Sequence, residues 1–257
     1  ALPAGHHQLL GHGYALAALR RHTARPVTVA NNYSPVRPVG DSDRDRAAAA
    51  TYDALHNRFF TDPLLGRGYP AELDVDPDLV RDGDLDVIAA PIEALGVNYY
   101  QPTGVRAPAE PDSPLPFELA PLDGYPVTAF GWPVAPDGLH ELLVGLRDRY
   151  GADLPPIYVT ENGCAYDDEV DADGRCHDPQ RIAYLDGHVR AMHRAITDGV
   201  AVRGYFVWSL LDNWEWAEGF TKRFGLVHVD FATQRRTPKS SYAWYADLIA
   251  RTSGTVS

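Results

Sequence analysis

Residues 157–163 read Ile-Tyr-Val-Thr-Glu-Asn-Gly, a β-branched apolar run that stops on one carboxylate, Glu161, and turns at once on Asn162-Gly163. Such a strand aims an acid at whatever lies beyond its end. Residues 204–216, Gly-Tyr-Phe-Val-Trp-Ser-Leu-Leu-Asp-Asn-Trp-Glu-Trp, form a second strand-like run that discharges into Trp208, Asp212, Glu215 and Trp216. A third, Leu95-Gly-Val-Asn-Tyr-Tyr100, ends in an amide and two phenols. Carboxylates beside flat indole faces suit sugar chemistry. Bland readings compete at some of these positions. Trp208 and Tyr99 would serve equally as core, and Asp212 and Glu218 as caps or solvated loop residues. Glu161 is harder to dismiss, because a carboxylate closing a buried strand is costly unless it is paired or used.

Four strand-like runs lead into helices, at 27–30, 95–100, 157–160 and 205–211. The opening stretch reads as an amphipathic helix with Leu9, Leu10, Leu16 and Leu19 on one face. Ser42 or Asp43 caps a helix through 47–60, and Asp137 starts one carrying Leu139, Leu142, Leu143 and Leu146. After Asp178-Pro179, the spacing of Ile182, Leu185, Val189, Met192 and Ile196 predicts another helix. Thr237-Pro238 opens the last, through Tyr242, Tyr245 and Ile249. The proline-rich segment 102–136 reads as a long insertion. Strand alternating with helix implies parallel strands, and in α/β barrels function collects at their C-terminal ends. The 257 residues would suffice for a whole (β/α)8 barrel, yet only four units can be counted.

The formal charge of -12, from 35 acids against 23 bases, argues against a nucleic-acid partner. A 45% hydrophobic share with 11% aromatic residues is ample for a core. The sequence offers no membrane span and no secretory signal pattern at its start, and a cytoplasmic location is the expectation. Cys164 and Cys176 are the only cysteines. Alone they cannot complete a tetrahedral zinc site, and they are either two free thiols or a clasp across the loop after Glu161. They are expected to lie near one another.

The segments Thr160-Glu-Asn-Gly163, Asn98-Tyr-Tyr100, Gly131-Trp132 and Trp208-Ser-Leu-Leu-Asp-Asn-Trp-Glu-Trp216, the last continuing to Gly225, closely resemble the family 1 glycoside hydrolases, chiefly bacterial β-glucosidases. The resemblance implies that 1–257 is the C-terminal half of one (β/α)8 TIM barrel, strands five to eight with their helices, and that the N-terminal half is absent. With that half would go the general acid/base. Glu72, Glu93, Glu110, Glu118, Glu141, Glu169 and Glu218 match no motif that would replace it.

The resemblance further implies a retaining β-glycosidase. Glu161 matches the nucleophile and Tyr100 the phenol that supports it. Asn98 lies beside them near the sugar. Glu215 and Trp216 match residues that grip the hydroxyls of the nonreducing sugar, Trp208 its apolar floor, Phe224 a pocket wall, and Trp132 the platform for the leaving group. Family members acting on 6-phosphosugars lack an acid at the position of Glu215, which would repel a phosphate dianion, so an unphosphorylated glycoside is implied. Neither metal nor organic cofactor is implied. The expected partners are a small β-glycoside or oligosaccharide and a complementary N-terminal half-barrel, without which two sheet edges and an apolar inner face stand exposed. The reading set against this is a noncatalytic half-barrel remnant that binds sugars or assembles with a partner.

Overall fold

In the computed structural model, which describes residues 2–110 and 112–252, the chain begins with α1 (Leu2–Arg20), β1 (Thr28–Tyr33), β2 (Val36–Pro38), α2 (Asp43–Asp53), α3 (Phe59–Leu64) and α4 (Asp84–Ile88). It continues through β3 (Ala94–Tyr99), β4 (Thr103–Arg106), β5 (Glu118–Ala120), α5 (Pro136–Tyr150), β6 (Ile157–Asn162) and α6 (Pro179–Thr197). It closes with β7 (Val202–Val207), β8 (Val227–Val229), β9 (Arg236–Pro238) and α7 (Ser240–Thr252). Strands β1, β3, β6 and β7 form one parallel sheet in that order, each overlapping one of the four runs expected from sequence, although β7 starts at Val202 and ends at Val207 rather than running over 205–211.

Alternation along the strands divides the sheet into two faces. Leu95, Val97, Tyr99, Ile157 and Val159 pack outward against Leu139, Leu142, Leu143, Leu146 and Tyr150 of α5 and Ala195 of α6. That leaves Gly96, Asn98, Tyr158 and Thr160 for the opposite face. Pro136 and Pro179 occupy the first helical position of α5 and α6, where a missing N–H costs nothing. Ser42 caps α2 by accepting the Asp45 N–H at 3.1 Å, as its sequence position suggested.

Several expectations are corrected. The helix from Ser42 does not run as one regular element through 47–60. It widens into a π turn at Ala54–Arg58, from which Asn57 donates to the Ser34 carbonyl (2.9 Å) and accepts the Ser34 N–H (3.1 Å), pinning the end of β1. The stretch 102–136 is not bare insertion, because β4 and β5 build a small sheet with β2, packed on α2 through Val105, Phe117, Ala48 and Ala49. Thr237-Pro238 belongs to β9, paired antiparallel with β8, and α7 starts only at Ser240. Leu19 and Ile196 fall outside the buried stripes of their helices, and Tyr242 and Ile249 of α7 are likewise exposed. Of the two readings left open for Cys164 and Cys176, free thiols is the one found, and both are buried.

Within this sheet β1 and β7 each pair on one side only, and Phe206, Leu210 and Trp214 are exposed along and beyond β7. No helix among the described residues is long and apolar enough to cross a membrane.

At the end of β6 the chain runs so close to the segment after β7 that a Cβ on Gly163 would strike the Trp208 carbonyl oxygen. Gly163→Ala should therefore lower stability by about 1–3 kcal/mol, read from the midpoint of chemical denaturation at unchanged m-value. A variant as stable as the parent would mean that the two strand ends do not pack this closely.

Candidate active site

Strict alternation along β6 would send Glu161 to the same side as Ile157 and Val159, into the helix layer. One extra residue prevents this. In the pairing of β3 with β6, Val97 lies opposite Val159 but Asn98 lies opposite Glu161, so Thr160 is a bulge. Its hydroxyl donates to Asn98 Oδ1 at 2.6 Å, which satisfies it in place. Glu161 is thereby brought abreast of Asn98, away from the helices, and Asn162 takes the buried position behind. There Asn162 Nδ2 donates to the Tyr99 carbonyl (2.8 Å) and the Tyr184 hydroxyl (3.1 Å), while its Oδ1 accepts from Tyr205 (2.6 Å). Tyr184 donates in turn to the Tyr100 carbonyl at 3.1 Å. These bonds lash β3, β6, β7 and α6 together at the strand ends.

Tyr100, just past β3, donates its phenol to Glu161 Oε2 at 2.6 Å. Burial pushes the Tyr100 phenol far above its ordinary value, and the bond to Glu161 pushes it further, so the proton stays on the tyrosine.

Around this pair stands an aromatic wall. The Tyr100 ring centroid is 5.5 Å from that of Trp132 and 6.2 Å from that of Phe224, and Trp132 and Phe224 are 6.0 Å apart. Phe130, which sequence reading passed over, stacks on Trp132 at 4.4 Å. Thr128 Oγ1 accepts the backbone N–H groups of Phe130 and Trp132, each at 3.3 Å, and Lys222 Nζ binds the Ala129 carbonyl at 2.8 Å. A cleft of about 740 Å³ opens beside this wall, with Tyr33, Tyr52, His56, Tyr100 and Trp132 among its lining.

The segment after β7 contributes Trp208, whose indole N–H donates to Glu215 Oε1 at 3.0 Å. Glu215 is 7% exposed. Burial raises its carboxyl above the ordinary value, Trp208 partly opposes this, and the charge of Glu161 adds to the rise. Trp216 is the exception in the group. It is 85% exposed, with a left-handed φ of 45°. The structure thus gathers Asn98, Tyr100, Trp132, Glu161, Trp208, Glu215 and Phe224 at one end of the sheet, with Trp216 adjoining through the backbone.

Asp212 is not a solvated loop residue: it is 4% exposed and accepts from Arg223 Nη1 (2.7 Å), Lys239 Nζ (3.0 Å) and the N–H groups of Gly225 (2.9 Å) and Val229 (3.2 Å). Burial alone would raise its carboxyl, but the Lys239 charge and these bonds hold it below the usual range. Behind it, Asp168 binds Lys239 and Arg181, each at 2.6 Å, and Arg181 binds Asp178 at 2.6 Å. Nothing in the local spacing of these residues announces the cluster, since its members come from distant segments. Burial pushes the Cys164 and Cys176 thiols up to about 12 and about 11, leaving neither disposed to act as a nucleophile.

A parallel sheet with helices outside and acids at its carboxyl end defines an α/β barrel-type site. The model of glycosyl hydrolase family 1 matches residues 1–254. The chain is 42% identical to a bifunctional beta-D-glucosidase/beta-D-fucosidase of Bifidobacterium breve, with 97% of this chain and 57% of that protein aligned. It is 44% identical to the thermostable beta-glucosidase B of Thermobispora bispora, over 96% of this chain and 52% of that protein. Among solved structures, the psychrophilic beta-glucosidase of Micrococcus antarcticus superposes with a TM-score of 0.89 at 44% identity, covering 97% of this chain and 58% of that one. The chain belongs to glycosyl hydrolase family 1, and its four-stranded sheet is part of a (β/α)8 barrel. It spans about half the length of the curated relatives it matches.

The raised Glu215 carboxyl gives a signed pH effect. Its ordinary value is 4.5, and the folded protein holds the proton more tightly than the unfolded chain. Stability attributable to Glu215 is therefore greatest at or below that pH and declines as pH rises through the folded value. By calorimetry, Tm of Glu215→Gln should gain on the parent as pH is raised from 4.5 to neutrality. A difference that stays flat over this interval would remove the buried carboxyl, raised by burial, from the description.

Proposed function

We propose that this chain supplies the nucleophile half of a retaining β-glycosidase of the β-glucosidase type. Its substrates are terminal, nonreducing, unphosphorylated β-D-glycosides. The general acid/base comes from an N-terminal half-barrel outside this sequence, which completes the barrel with it. The observation that carries the reading is Glu161, re-aimed by the Thr160 bulge and accepting the Tyr100 phenol on Oε2.

Oε1 of Glu161 attacks the anomeric carbon. The bond to the leaving oxygen breaks with its electron pair going to that oxygen, which takes a proton from the acid of the other half. The two carboxyl groups of a retaining site stand about 5–5.5 Å apart. Water then gives a proton to the same acid/base group and attacks the anomeric carbon, and the ester to Glu161 breaks, restoring the carboxylate. Throughout, Tyr100 keeps its proton and holds the carboxylate's orientation. Asn98 lies beside the sugar, Glu215 and Trp216 grip its hydroxyls, Trp208 forms the floor, Phe224 a wall, and Trp132 the platform for the leaving group. Glu215 also disfavours phosphorylated sugars by charge. The names of the relatives, beta-glucosidase and beta-D-glucosidase/beta-D-fucosidase, support this class of substrate.

A 2-fluoro-2-deoxy β-glucoside with an activated leaving group should label Glu161 in the assembled enzyme, located by peptide mass mapping, because deglycosylation is slowed and the ester accumulates. A label on Glu215 or Glu218 would overturn the nucleophile assignment, and sugar binding with neither label nor turnover would establish the noncatalytic remnant instead. The 257-residue chain alone should barely hydrolyse alkyl β-glucosides. Adding the complementary half should raise the rate by at least ~10²-fold, the contribution expected of a general acid. Full activity from the chain by itself would sink the division of the site between two halves.

A further inference from the structure

Lys239 stands outside the sugar-facing group, at the junction of β9 and α7, with its side chain fully buried. Its ammonium reaches Asp168 Oδ2 at 2.6 Å and Asp212 Oδ1 at 3.0 Å. Asp168 belongs to the segment that follows β6, and Asp212 to the segment that follows β7. One cation therefore ties together the two segments that leave the site, one just after Glu161 and the other just before Glu215. The lysine is itself held by its backbone, whose N–H donates to the Leu226 carbonyl at 2.9 Å, while the next N–H, of Ser240, donates to the Cys176 carbonyl at 3.0 Å.

Within this cluster Asp168, Asp178 and Asp212 face the buried Arg181 and Lys239 and the half-buried Arg223, so the charges of the cluster balance. Burying such ions generally contributes no more stability than apolar packing of the same volume. A satisfied polar network does, however, fix geometry. The arm through Asp212 leads straight to the site. The same carboxylate accepts the N–H of Gly225, the neighbour of Phe224, and Glu215 follows it in the same short segment.

We infer that Lys239 is a positioning residue for the two carboxylates. By tethering Asp212 to Asp168, it holds the segment after β7 so that Glu215 stays on the Trp208 indole N–H and faces Glu161. The significance of this for sugars rests on the proposed roles of Glu161 and Glu215. The test reads only the Trp208–Glu215 contact, so it can fail while the Glu161 labelling succeeds, and the reverse.

The experiment is hydrogen exchange of the 15N-labelled Trp208 indole, its resonance assigned with Trp208→Phe. Lys239→Met should speed that exchange by about tenfold or more and shift the resonance, while the core amides of β3 and β6 keep their protection. A lysine that only stabilises the fold would lower Tm and leave the indole signal as in the parent, which would overturn the inference. Should the single variant not fold, Lys239→Met combined with Asp168→Asn removes one cation and one anion together. Arg181 keeps Asp178 and Arg223 keeps Asp212, so no buried ion is stranded. Loss of indole protection in the folded double variant supports the tether, and protection equal to the parent's overturns it.

Discussion

A carboxylate at the end of a buried parallel strand must either be neutralised or be turned out of the helix layer, and here one added residue performs the turn. Thr160 breaks the period of two, so Glu161 faces Asn98 and Tyr100 rather than α5 and α6. The rest of the site depends on that placement. Asn162, displaced into the buried position, becomes the amide hub that binds Tyr99, Tyr184 and Tyr205, and therefore the same bulge that frees the acid also locks the strand ends around it. Elements tied in this way hold the Glu161 carboxylate and its Tyr100 donor in one orientation.

Two kinds of packing surround the acid, and they do different work. Tyr100, Trp132, Phe130 and Phe224 form a continuous aromatic wall that offers flat apolar faces. Behind it, the ion cluster of Asp168, Asp178, Arg181, Asp212, Arg223 and Lys239 fixes the long segments that follow β6 and β7. Loops of this length carry few backbone bonds of their own, so their shape has to be set by side chains. By contrast, among the described residues β1 and β7 have unpaired edges in this sheet, and Phe206, Leu210 and Trp214 are exposed, consistent with a sheet that is part of a larger barrel.

Composition and periodicity determined a good deal unaided. The four parallel strands, α5, α6 with its proline start, the Ser42 cap, and the residue types at the strand ends all follow from local signals, because each depends on neighbours a few positions away. The ends of amphipathic helices were less legible. Leu19, Ile196, Tyr242 and Ile249 keep the apolar spacing but are exposed, since periodicity says which face is apolar and not how far the neighbouring layer extends over it.

Tertiary structure alone decided the orientation of Glu161, because a bulge is a property of two paired strands and alternation within β6 points the wrong way. It also decided the fate of Asp212 and Lys239. Taken alone, Asp212 reads as a loop acid, and Lys239 belongs to no motif. Only chain segments brought together from the ends of β6 and β7, from Arg223 and from β9 make them a buried, balanced pair, and long-range assembly of that kind leaves no period, spacing or turn signal in the sequence.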